Sequence, residues 1–544
     1  MDVPTHRLKA LYWYAGLVAA VLIGLALRLR GIHNPLLDHP GWRQGDTAAI
    51  ARNFVRLQFD ILRPQTMYNG PPPNYVELEL QLVPFTAAAL YKLFGIHEVF
   101  GRLISVAFSL ATVVTIAYFA RWLFGSAVAG LIAAFFYAVF PGSVYYGRTF
   151  MPDAAMVFFL TAALYACARY LCEDERLFGR GLAWPTVLLT LAYLAKPVSV
   201  LALAPLAGMI SQRFRERRAL PPLPIAVLIA VPLLVLWIYD RRVSAYAEWH
   251  WASGITRLHV LPALLTAFEH AGAFAAKASQ WVAALGMLPG TMLGKVAFGM
   301  SIASFVALPW VAARSKALLW GWLAGALAYV YVVVTVERVD YYLYPLLPLC
   351  ALAIGGALAR YVAAVSRADA APAARYALLA VVPAIAIAVL VQSRAAVAAY
   401  YRYDKQVYRS AAALNAALPK DAIIVIGHYG PNVQYYIDRF GWEEDPALWT
   451  PFDEESAIRK GARYFISIED RRMRANSDLC VWLQRFPLRT DLAPWPTYQT
   501  DPALASSGGD QLWRAYRTAQ RAGNGREFLD RRGVCGVTST TQSP

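Results

Sequence analysis

The 544-residue sequence contains few charged residues and few cysteines, and both shortages limit what it can be. Charged side chains make up 16% of the chain, whereas an ordinary globular chain has about 25%. Hydrophobic residues reach 58% and the mean hydropathy is +0.41, so several soluble domains could not cover themselves with polar surface. Five cysteines without a C-x-x-C pair do not suit a disulfide scaffold, a zinc ribbon or a redox motif. The composition predicts a polytopic membrane protein.

Acidic residues are also scarce: 35 Asp and Glu face 51 Lys and Arg, which gives a net charge of +16. In a soluble protein this balance would indicate nucleic-acid binding. No basic stretch is interleaved with aromatic residues, so we expect no nucleic-acid partner. In a membrane protein the same charge is expected to mark cytoplasmic loops. The first apolar run, 11–27, is too long for the core of a signal peptide and lacks a clear cleavage site, so no cleaved leader is expected.

Apolar runs predict about eleven transmembrane helices that begin in the cytoplasm. The basic N-terminus and the basic run 213–218 mark the cytoplasmic side, and the alternation of sides then places the C-terminus outside. Segment 83–94 is either a further span or an interfacial helix, and both alternatives stay open. The predicted spans are 11–27, 103–120, 127–144, 154–171, 182–195, 198–210, 222–239, 296–312, 318–336, 341–359 and 376–391.

The composition changes near residue 393. We predict a membrane domain over 1–392, with external loops 28–102 and 240–290, and an external α/β domain over 393–544. Within that domain, short buried strands are predicted at 422–427 and 464–468, with helices at 410–418 and 433–439. Cys480 and Cys535 both fall there, on the side where oxidation is permitted, which predicts a disulfide between them; the alternative is two free thiols.

Several charges fall at the external ends of predicted spans or in external loops. Positive charges at that face run against the usual bias, and a bound anion would explain them. The charged residues are Asp38, Asp46, Arg148, Asp153, Lys196, Asp240, Arg241, Arg242, Glu337, Arg338 and Asp340.

Asp46 lies in the first predicted external loop, where a helical pattern begins. Ile50 and Phe54 fall on one face of that pattern and Arg52 and Arg56 on another, as in a helix lying in the membrane interface. Asp46 would then be at the helix N-terminus, where Asp is a good N-cap. The functional interpretation is a general base that meets an acceptor hydroxyl next to a lipid-borne substrate.

Three further motifs place charge or aromatic groups at the ends of spans. Arg148 and Asp153 precede the span 154–171, where Asp153 is either an N-cap or part of a site. Lys196 stands alone among apolar residues before Pro197, so it either snorkels to the interface or binds a phosphate. In the run 337–348, Arg338 precedes several tyrosines, among them Tyr342, which form either an aromatic belt or a grip on a phosphate head group.

These four elements, in this order, resemble the GT-C superfamily of polyprenyl-phosphate-sugar-dependent glycosyltransferases. The likeness is greatest to the branch that holds the aminoarabinose transferases of lipid A and the protein O-mannosyltransferases, and it covers roughly residues 10 to 395. The resemblance implies that Asp46 is the base and Asp153 a second acidic residue of the site. Relatives usually carry Asp-Glu where this chain has Asp46-Thr47, and a shifted alignment would place the family carboxylate at Asp38.

A transferase of this kind would move a sugar from a polyprenyl phosphate to an envelope lipid, glycan or protein. Lys196 and Arg338, with Arg148 or Arg241 and Tyr342, would bind the carrier phosphate, because fixed cations in a partly dry site stabilise developing negative charge. Asp46 would take the acceptor proton, and a single displacement would invert the anomeric centre. No cofactor is expected, although a divalent metal is not excluded. The expected form is a monomer in the bacterial inner membrane, with the site and the C-terminal domain facing the periplasm.

Two other classes of protein remain open. A transporter or flippase of a lipid-linked or anionic substrate would also explain many spans and charges within the membrane. An O-antigen polymerase or ligase would use external Arg and His, and His250, between two tryptophans and near Arg241 and Arg242, is its candidate residue. The ordinary interpretation of His250 is an interfacial residue.

Overall fold

The structure, a computed structural model, describes residues 3–173, 180–217, 221–367 and 371–535. The chain divides into two compact units. The membrane unit holds the residues up to His33, Asp60–Leu62 and Glu77–Tyr401. The C-terminal unit holds Asn34–Phe59, Arg63–Val76 and the residues from Arg402 onward.

The first half of the chain is mostly helical. Its helices are α1 (Val3–Arg28), α2 (Gly41–Arg56), α3 (Leu82–Phe94), α4 (Glu98–Phe124), α5 (Ala127–Val139), α6 (Pro141–Tyr146), α7 (Asp153–Glu173), α8 (Arg180–Ala195), α9 (Leu203–Arg217) and α10 (Pro222–Ser244). A short strand, β1, covers Val76–Glu77, and a 3₁₀ turn, Pro197–Ala202, separates α8 from α9.

The middle of the chain continues in short and long helices. After strand β2 (Trp249–His250) come α11 (Ala252–Gly254), α12 (Leu261–Thr266), α13 (Ala271–Leu285), α14 (Lys295–Ala307), α15 (Lys316–Tyr329), α16 (Leu347–Arg367) and α17 (Pro372–Ala396). A π-helical segment, Val330–Val334, extends α15, and a 3₁₀ segment, Asp340–Leu346, leads into α16. The second predicted external loop, 240–290, is therefore largely helical.

Among the described residues, seven helical segments are long and apolar enough to cross a membrane, and four shorter apolar helices accompany them. The predicted polytopic helical architecture is confirmed. The count of about eleven spans stays a prediction, because predicted span 198–210 is split between the 3₁₀ turn and α9. Segment 83–94, left open as a span or an interfacial helix, forms the 13-residue α3. Arg218, the last residue of the basic run 213–218, lies outside the described residues.

Prolines set the helix ends that matter for the site. Lys196 is extended, with φ −165° and ψ 123°, directly before Pro197, and α8 ends at Ala195. The proline ring disfavours the helical conformation in the preceding residue, so the chain must leave the helix here. The sequence Phe140-Pro141 breaks α5 from α6 in the same way, with Phe140 at ψ 133°.

Small residues let the membrane helices approach closely. A Cβ at Gly355 of α16 would lie 2.7 Å from the carbonyl oxygen of Ala129 in α5, and one at Gly130 would lie 2.6 Å from the carbonyl oxygen of Ala117 in α4. Helices in lipid associate through such close packing because the apolar surroundings give little hydrophobic driving force. The contacts fix the helices around which the charged residues are placed.

The C-terminal unit has an α/β fold built on a four-stranded sheet. Its strands are β3 (Ile423–Gly427), β4 (Gly441–Glu444), β5 (Ala462–Ile466) and β6 (Thr497–Tyr498), in the order β4-β3-β5-β6, with β3 parallel to β4 and β5 and β6 antiparallel to β5. Its helices after α2 are α18 (Lys405–Ala417), α19 (Pro431–Ile437), α20 (Pro451–Arg459), α21 (Asp470–Ala475), α22 (Ser477–Leu483), α23 (Ser507–Arg521) and α24 (Gly525–Arg532). The structure joins Cys480 of α22 to Cys535 in a disulfide, with the Cα atoms 6.0 Å apart.

The boundaries of this unit differ from the predicted domain 393–544. Ser393 and Arg394 continue α17, so the unit starts at Arg402. Part of the predicted loop 28–102 also folds with it, because α2 packs against α19. A composition shift along the chain cannot reveal that a distant segment completes a domain.

Candidate active site

Lys196 and Asp153 form a buried ion pair in the membrane unit. Asp153 begins α7 and Lys196 follows α8, and these two helices pack along each other. Lys196 Nζ lies 2.6 Å from Asp153 Oδ1, and the two residues are only 7% and 1% exposed. Asp153 Oδ2 has no hydrogen-bond partner within the part of the chain that the structure describes. The pair therefore has bonding capacity left over.

Two tyrosines lie against the lysine of this pair. The Lys196 ammonium is 5.1 Å from the ring centroid of Tyr341 and 4.7 Å from that of Tyr342, and the two rings stack at 4.9 Å. Aromatic faces attract a cation, so the rings stabilise the charge of Lys196 away from water. Glu79, which the sequence analysis did not single out, is also within electrostatic range of Lys196.

Asp340 holds the tyrosine segment in place. Its carboxylate accepts hydrogen bonds from Tyr146 Oη at 2.5 Å, from Thr291 Oγ1 at 2.5 Å and from Tyr400 Oη at 2.6 Å. The donors come from three separate parts of the membrane unit, so one buried side chain fixes the start of the 3₁₀ segment that carries Tyr341. Asp340 thus has a positioning role that its place among the external charges did not reveal.

Arg148 and the other predicted phosphate ligands lie in different settings. Arg148 donates to the Gly31 carbonyl at 2.8 Å and stacks on the rings of Tyr145 and Tyr401 at 4.8 and 4.6 Å. Arg338 is exposed, and its Nε donates to the Thr335 carbonyl at 3.3 Å.

Arg241 and His250 are also exposed, and Arg241 stacks on Trp237 at 5.7 Å. Among the described residues, the structure shows no contact of Arg338, Arg241 or His250 with Lys196. The structure groups Lys196 with Asp153 and Tyr342, and the phosphate-binding roles of Arg148, Arg338 and Arg241 stay predictions.

Lys277 of α13 is a buried cation that the sequence analysis missed. It is 4% exposed, its Nζ has no hydrogen-bond partner within the described ranges, and it lies 5.8 Å from the ring centroid of Tyr331. Arg338 is close enough to repel it electrostatically. A single lysine in an otherwise apolar helix is the sequence pattern that could have indicated it, and the same pattern indicated Lys196.

Asp46, the predicted base, belongs to the C-terminal unit. Helix α2 begins at Gly41, so Asp46 lies in its second turn and the N-cap interpretation is wrong. Its carboxylate is fully buried and accepts from Arg43 Nη1 at 2.9 Å and from Tyr68 Oη at 3.0 Å. Pro40 has an extended backbone and directly precedes the helix. The helix therefore begins about one turn earlier than the hydrophobic pattern predicted.

Helix α2 packs on protein rather than standing alone at an interface. A Cβ at Gly45 would lie 2.3 Å from Asn432 Cα of α19, so this position requires glycine. Arg52 and Arg56 both bind Asp438, at 2.6 and 2.7 Å, and these two guanidinium groups hold the pKa of Asp438 below its ordinary value. The predicted charged face of α2 is therefore a protein contact.

Glu443 of β4 is a second carboxyl group in electrostatic reach of Asp46. Burial, with the charges of Glu444 and Asp46, raises the pKa of Glu443 to about 9, although the Gly430 N–H opposes the change. Burial and the Asp46 carboxylate likewise raise the pKa of Tyr68 well above its ordinary value. At neutral pH Glu443 is thus a neutral acid beside Asp46. A neutral carboxyl group near a second carboxyl group is a common arrangement in acid–base sites.

Asp38, the alternative carboxylate, is also buried in the C-terminal unit. Gln44 Nε2 donates to its Oδ1 at 2.8 Å, and Asn34 lies 3.4 Å from its Oδ2. Helix α2 therefore supplies a partner to each candidate carboxylate, Gln44 to Asp38 and Arg43 to Asp46. Within the described ranges, no three side chains of His, Cys, Asp or Glu converge where a metal ion could be held.

Part of the chain matches a known family. Residues 81–239 match the family model of dolichyl-phosphate-mannose-protein mannosyltransferases, and this stretch contains both Asp153 and Lys196. It is less than half of the chain. No match was found among curated protein sequences.

Solved structures resemble nearly the whole chain. ArnT from Cupriavidus metallidurans bound to undecaprenyl phosphate has a TM-score of 0.58 at 14% identity, covering 90% of this chain and 98% of that one. The oligosaccharyltransferase from Archaeoglobus fulgidus in the apo form has a TM-score of 0.57 at 13% identity, covering 91% of this chain and 75% of that one.

The archaeal AglB from Archaeoglobus fulgidus, in complex with an inhibitory peptide and a dolichol-phosphate, has a TM-score of 0.56 at 13% identity over 90% and 74% of the two chains. At such low identity these similarities show the fold. The predicted likeness in fold to GT-C glycosyltransferases, as a polytopic helical membrane protein, is confirmed.

Proposed function

We propose that this chain is an integral membrane glycosyltransferase that moves a sugar from a polyprenyl phosphate to an acceptor of the cell envelope. The observation that carries the proposal is the buried Lys196–Asp153 pair beneath Tyr341 and Tyr342. A charged pair within a membrane unit is costly and is generally retained for function. The pair also lies inside the stretch that matches the mannosyltransferase family model.

Lys196 is the proposed ligand of the carrier phosphate. An ammonium group has three donors, and among the described residues one of them goes to Asp153, which leaves donors for phosphate oxygens. Because the site is largely closed to water, the charge of Lys196 acts strongly on the phosphate as it becomes a leaving group. The undecaprenyl phosphate and dolichol-phosphate in the names of two similar structures support a lipid phosphate as the ligand.

The proposed reaction is a single displacement. The acceptor oxygen forms a bond to the anomeric carbon while the bond from that carbon to the phosphate oxygen breaks, and the electron pair leaves on the polyprenyl phosphate. Asp46 takes the proton of the acceptor hydroxyl, and attack from the opposite face inverts the anomeric centre. Glu443 is neutral at pH 7, so it can donate a hydrogen bond without competing for that proton.

The proposed site faces the external side of a bacterial inner membrane. The disulfide between Cys480 and Cys535 supports this orientation of the C-terminal unit, because such bonds persist in oxidising compartments. Acceptors at that face include envelope lipids, glycans and proteins, and the sugar is either a hexose or a pentose.

The test compares envelope lipids and glycans of the source cells with and without the chain, by mass spectrometry. Loss of a sugar from one envelope component, with accumulation of the matching polyprenyl-phosphate sugar, is the expected result. In vesicles that contain the purified chain and this lipid, transferase activity releases the polyprenyl phosphate. Movement of the intact lipid-linked sugar across the bilayer without cleavage would instead establish a transporter. A chain inactivated by His250→Ala but not by Asp46→Asn would favour the ligase class.

A further inference from the structure

A charged cavity lies where α1 and α17 end in the membrane unit. It has a volume of about 270 Å³, and its polar lining comes from Arg30, Ser393, Arg394 and Tyr401. Apolar side chains, among them Leu27, complete the wall. None of these residues belongs to the Lys196–Asp153 pair or contacts it among the described residues, so the cavity is a separate feature.

The cavity concentrates positive charge. Arg30 stacks on the Tyr401 ring with its guanidinium carbon 4.5 Å from the centroid, and Arg148 stacks on the same ring at 4.6 Å. Within the described part of the chain, neither Arg30 nor Arg394 pairs with a carboxylate. Arg30 and Arg394 at one cavity are therefore suited to an anion with several acceptor oxygens, such as a phosphate.

Ser393 gives a second and independent indication of a ligand. It is 1% exposed, lines the cavity, and its hydroxyl has no hydrogen-bond partner among the described residues. A buried hydroxyl that lacks a partner costs free energy, so such groups are generally satisfied by protein, water or ligand. A ligand oxygen in the cavity would supply the missing partner.

The position of the cavity along the helices indicates a lipid. The segment Ala10–Arg28 and helix α17, Pro372–Ala396, are both apolar enough to cross a membrane, and the cavity lies at their last turns. At that depth the hydrocarbon gives way to head groups, and arginine side chains reach phosphates there. The apolar part of the wall would face the acyl or glycerol part of the same molecule.

We propose that this cavity binds the phosphate of a lipid head group, as a second lipid-phosphate site separate from Lys196. The inference does not depend on the transferase proposal, since it rests on different residues. Phosphate is the shared chemistry of a membrane lipid and of the free anion, and the lipid is the source that the apolar wall and the helix ends favour.

The experiment measures binding of dipalmitoyl phosphatidic acid to the purified full-length chain by native mass spectrometry. The double variant Arg30→Gln/Arg394→Gln is expected to bind this lipid about ten- to a hundred-fold more weakly at one site, as for loss of charge-assisted hydrogen bonds. The matched control Arg360→Gln/Arg375→Gln, which removes the same charge at other positions of α16 and α17, is expected to bind like the wild type.

Two further arms make the result decisive. Ser393→Ala keeps all charges and should weaken binding of phosphatidic acid at this site by a smaller factor. This variant tests the cavity even if the double variant does not fold. Lys196→Met should leave this event unchanged. Equal phosphatidic acid binding by the wild type and by both cavity variants would overturn the proposal. Inorganic phosphate that displaces the lipid at an equal concentration would overturn the assignment to a lipid.

Discussion

The two units of the chain surround their candidate carboxylates differently. In the membrane unit, Asp153 is paired with the buried cation Lys196, whose other neighbours are two tyrosine rings. In the C-terminal unit, Asp46 accepts from Arg43 and Tyr68 and lies within electrostatic reach of a second carboxyl group, Glu443. The first arrangement suits binding of an anion, and the second suits proton transfer. Under the proposed function, the phosphate ligand Lys196 belongs to the membrane unit and the base Asp46 to the C-terminal unit.

Asp46→Asn tests the assignment of the base and has the largest expected effect. Asn keeps the shape and can still accept a hydrogen bond from Tyr68, but it cannot take a proton. We expect sugar transfer to fall about 10²- to 10⁴-fold, with undecaprenyl phosphate binding unchanged, measured by product formation and by lipid binding on the same preparation.

Asp38→Asn is the matched control for this test. Asp38 is equally buried and belongs to the same unit, but the side chains that bond it include the amides of Gln44 and Asn34. We expect it to keep most of the activity. If Asp38→Asn were inactive and Asp46→Asn active, the shifted alignment would be correct and the base would be Asp38.

The two units differ in the redox state of their cysteines. Cys480 and Cys535 of the C-terminal unit are joined, whereas Cys167 and Cys350 of the membrane unit are buried free thiols. The two cysteines are 55 residues apart in the sequence. Removal of a disulfide that closes a loop of this length lowers the free energy of unfolding by about 2–4 kcal/mol. Cys480→Ser, or a reductant on the wild type, should lower the melting temperature of the C-terminal unit.

The control for the disulfide is Cys172→Ser, which changes a free and only partly buried thiol. Its melting temperature should match that of the wild type, and reductant should lower it by the same amount. A wild-type chain whose melting and protease resistance do not respond to reductant would contradict a stabilising disulfide.

The apolar runs predicted the membrane helices because lipid requires long apolar segments, and every predicted span overlaps a helix in the structure. The strands β3 and β5 were predicted within two residues, since they are buried and apolar. β4 was missed because Glu443 and Glu444 make it polar. The start of α2 was misplaced because hydrophobic periodicity begins later than the backbone turn at Pro40.

The sequence indicated which residues form the candidate site, but not which of them contact each other. Lys196 and Asp153 were both singled out, yet each lies alone in the sequence, and only the packing of α7 against α8 joins them. Glu79, Lys277 and Glu443 were missed. Their importance comes from burial and from neighbours distant along the chain, neither of which a local pattern carries.

Lys196→Met tests the anion-binding half of the comparison. It removes the charge and leaves Asp153 as an unpaired buried carboxylate, so we expect undecaprenyl phosphate binding to weaken about ten- to a hundred-fold. Lys295→Met is the control, because Lys295 is an exposed lysine at the start of α14. The double variant Lys196→Met/Asp153→Asn separates lost binding from misfolding. It removes the unpaired buried carboxylate but does not restore the ammonium group that binds the phosphate. Phosphate binding equal to that of the wild type in both Lys196 variants would remove Lys196 from the site.

Glu443→Gln has the smallest expected effect and tests whether Glu443 is neutral at pH 7. Its pKa is raised to about 9 from an ordinary value of 4.5, so the folded chain holds this proton more tightly than the unfolded chain. The stabilisation is therefore complete below pH 4.5 and is lost as the pH rises toward 9.

Gln imitates the neutral acid at every pH, so the variant should transfer sugar at pH 7 like the wild type. Its melting temperature should exceed that of the wild type by a margin that grows as the pH rises from 4.5 to about 9, by about 2–4 °C for each kcal/mol. The exposed Glu527→Gln should show no such pH dependence. A variant that is inactive at pH 7 would mean that the Glu443 carboxylate itself is needed, and proton transfer would then involve both carboxyl groups of the C-terminal unit rather than Asp46 alone.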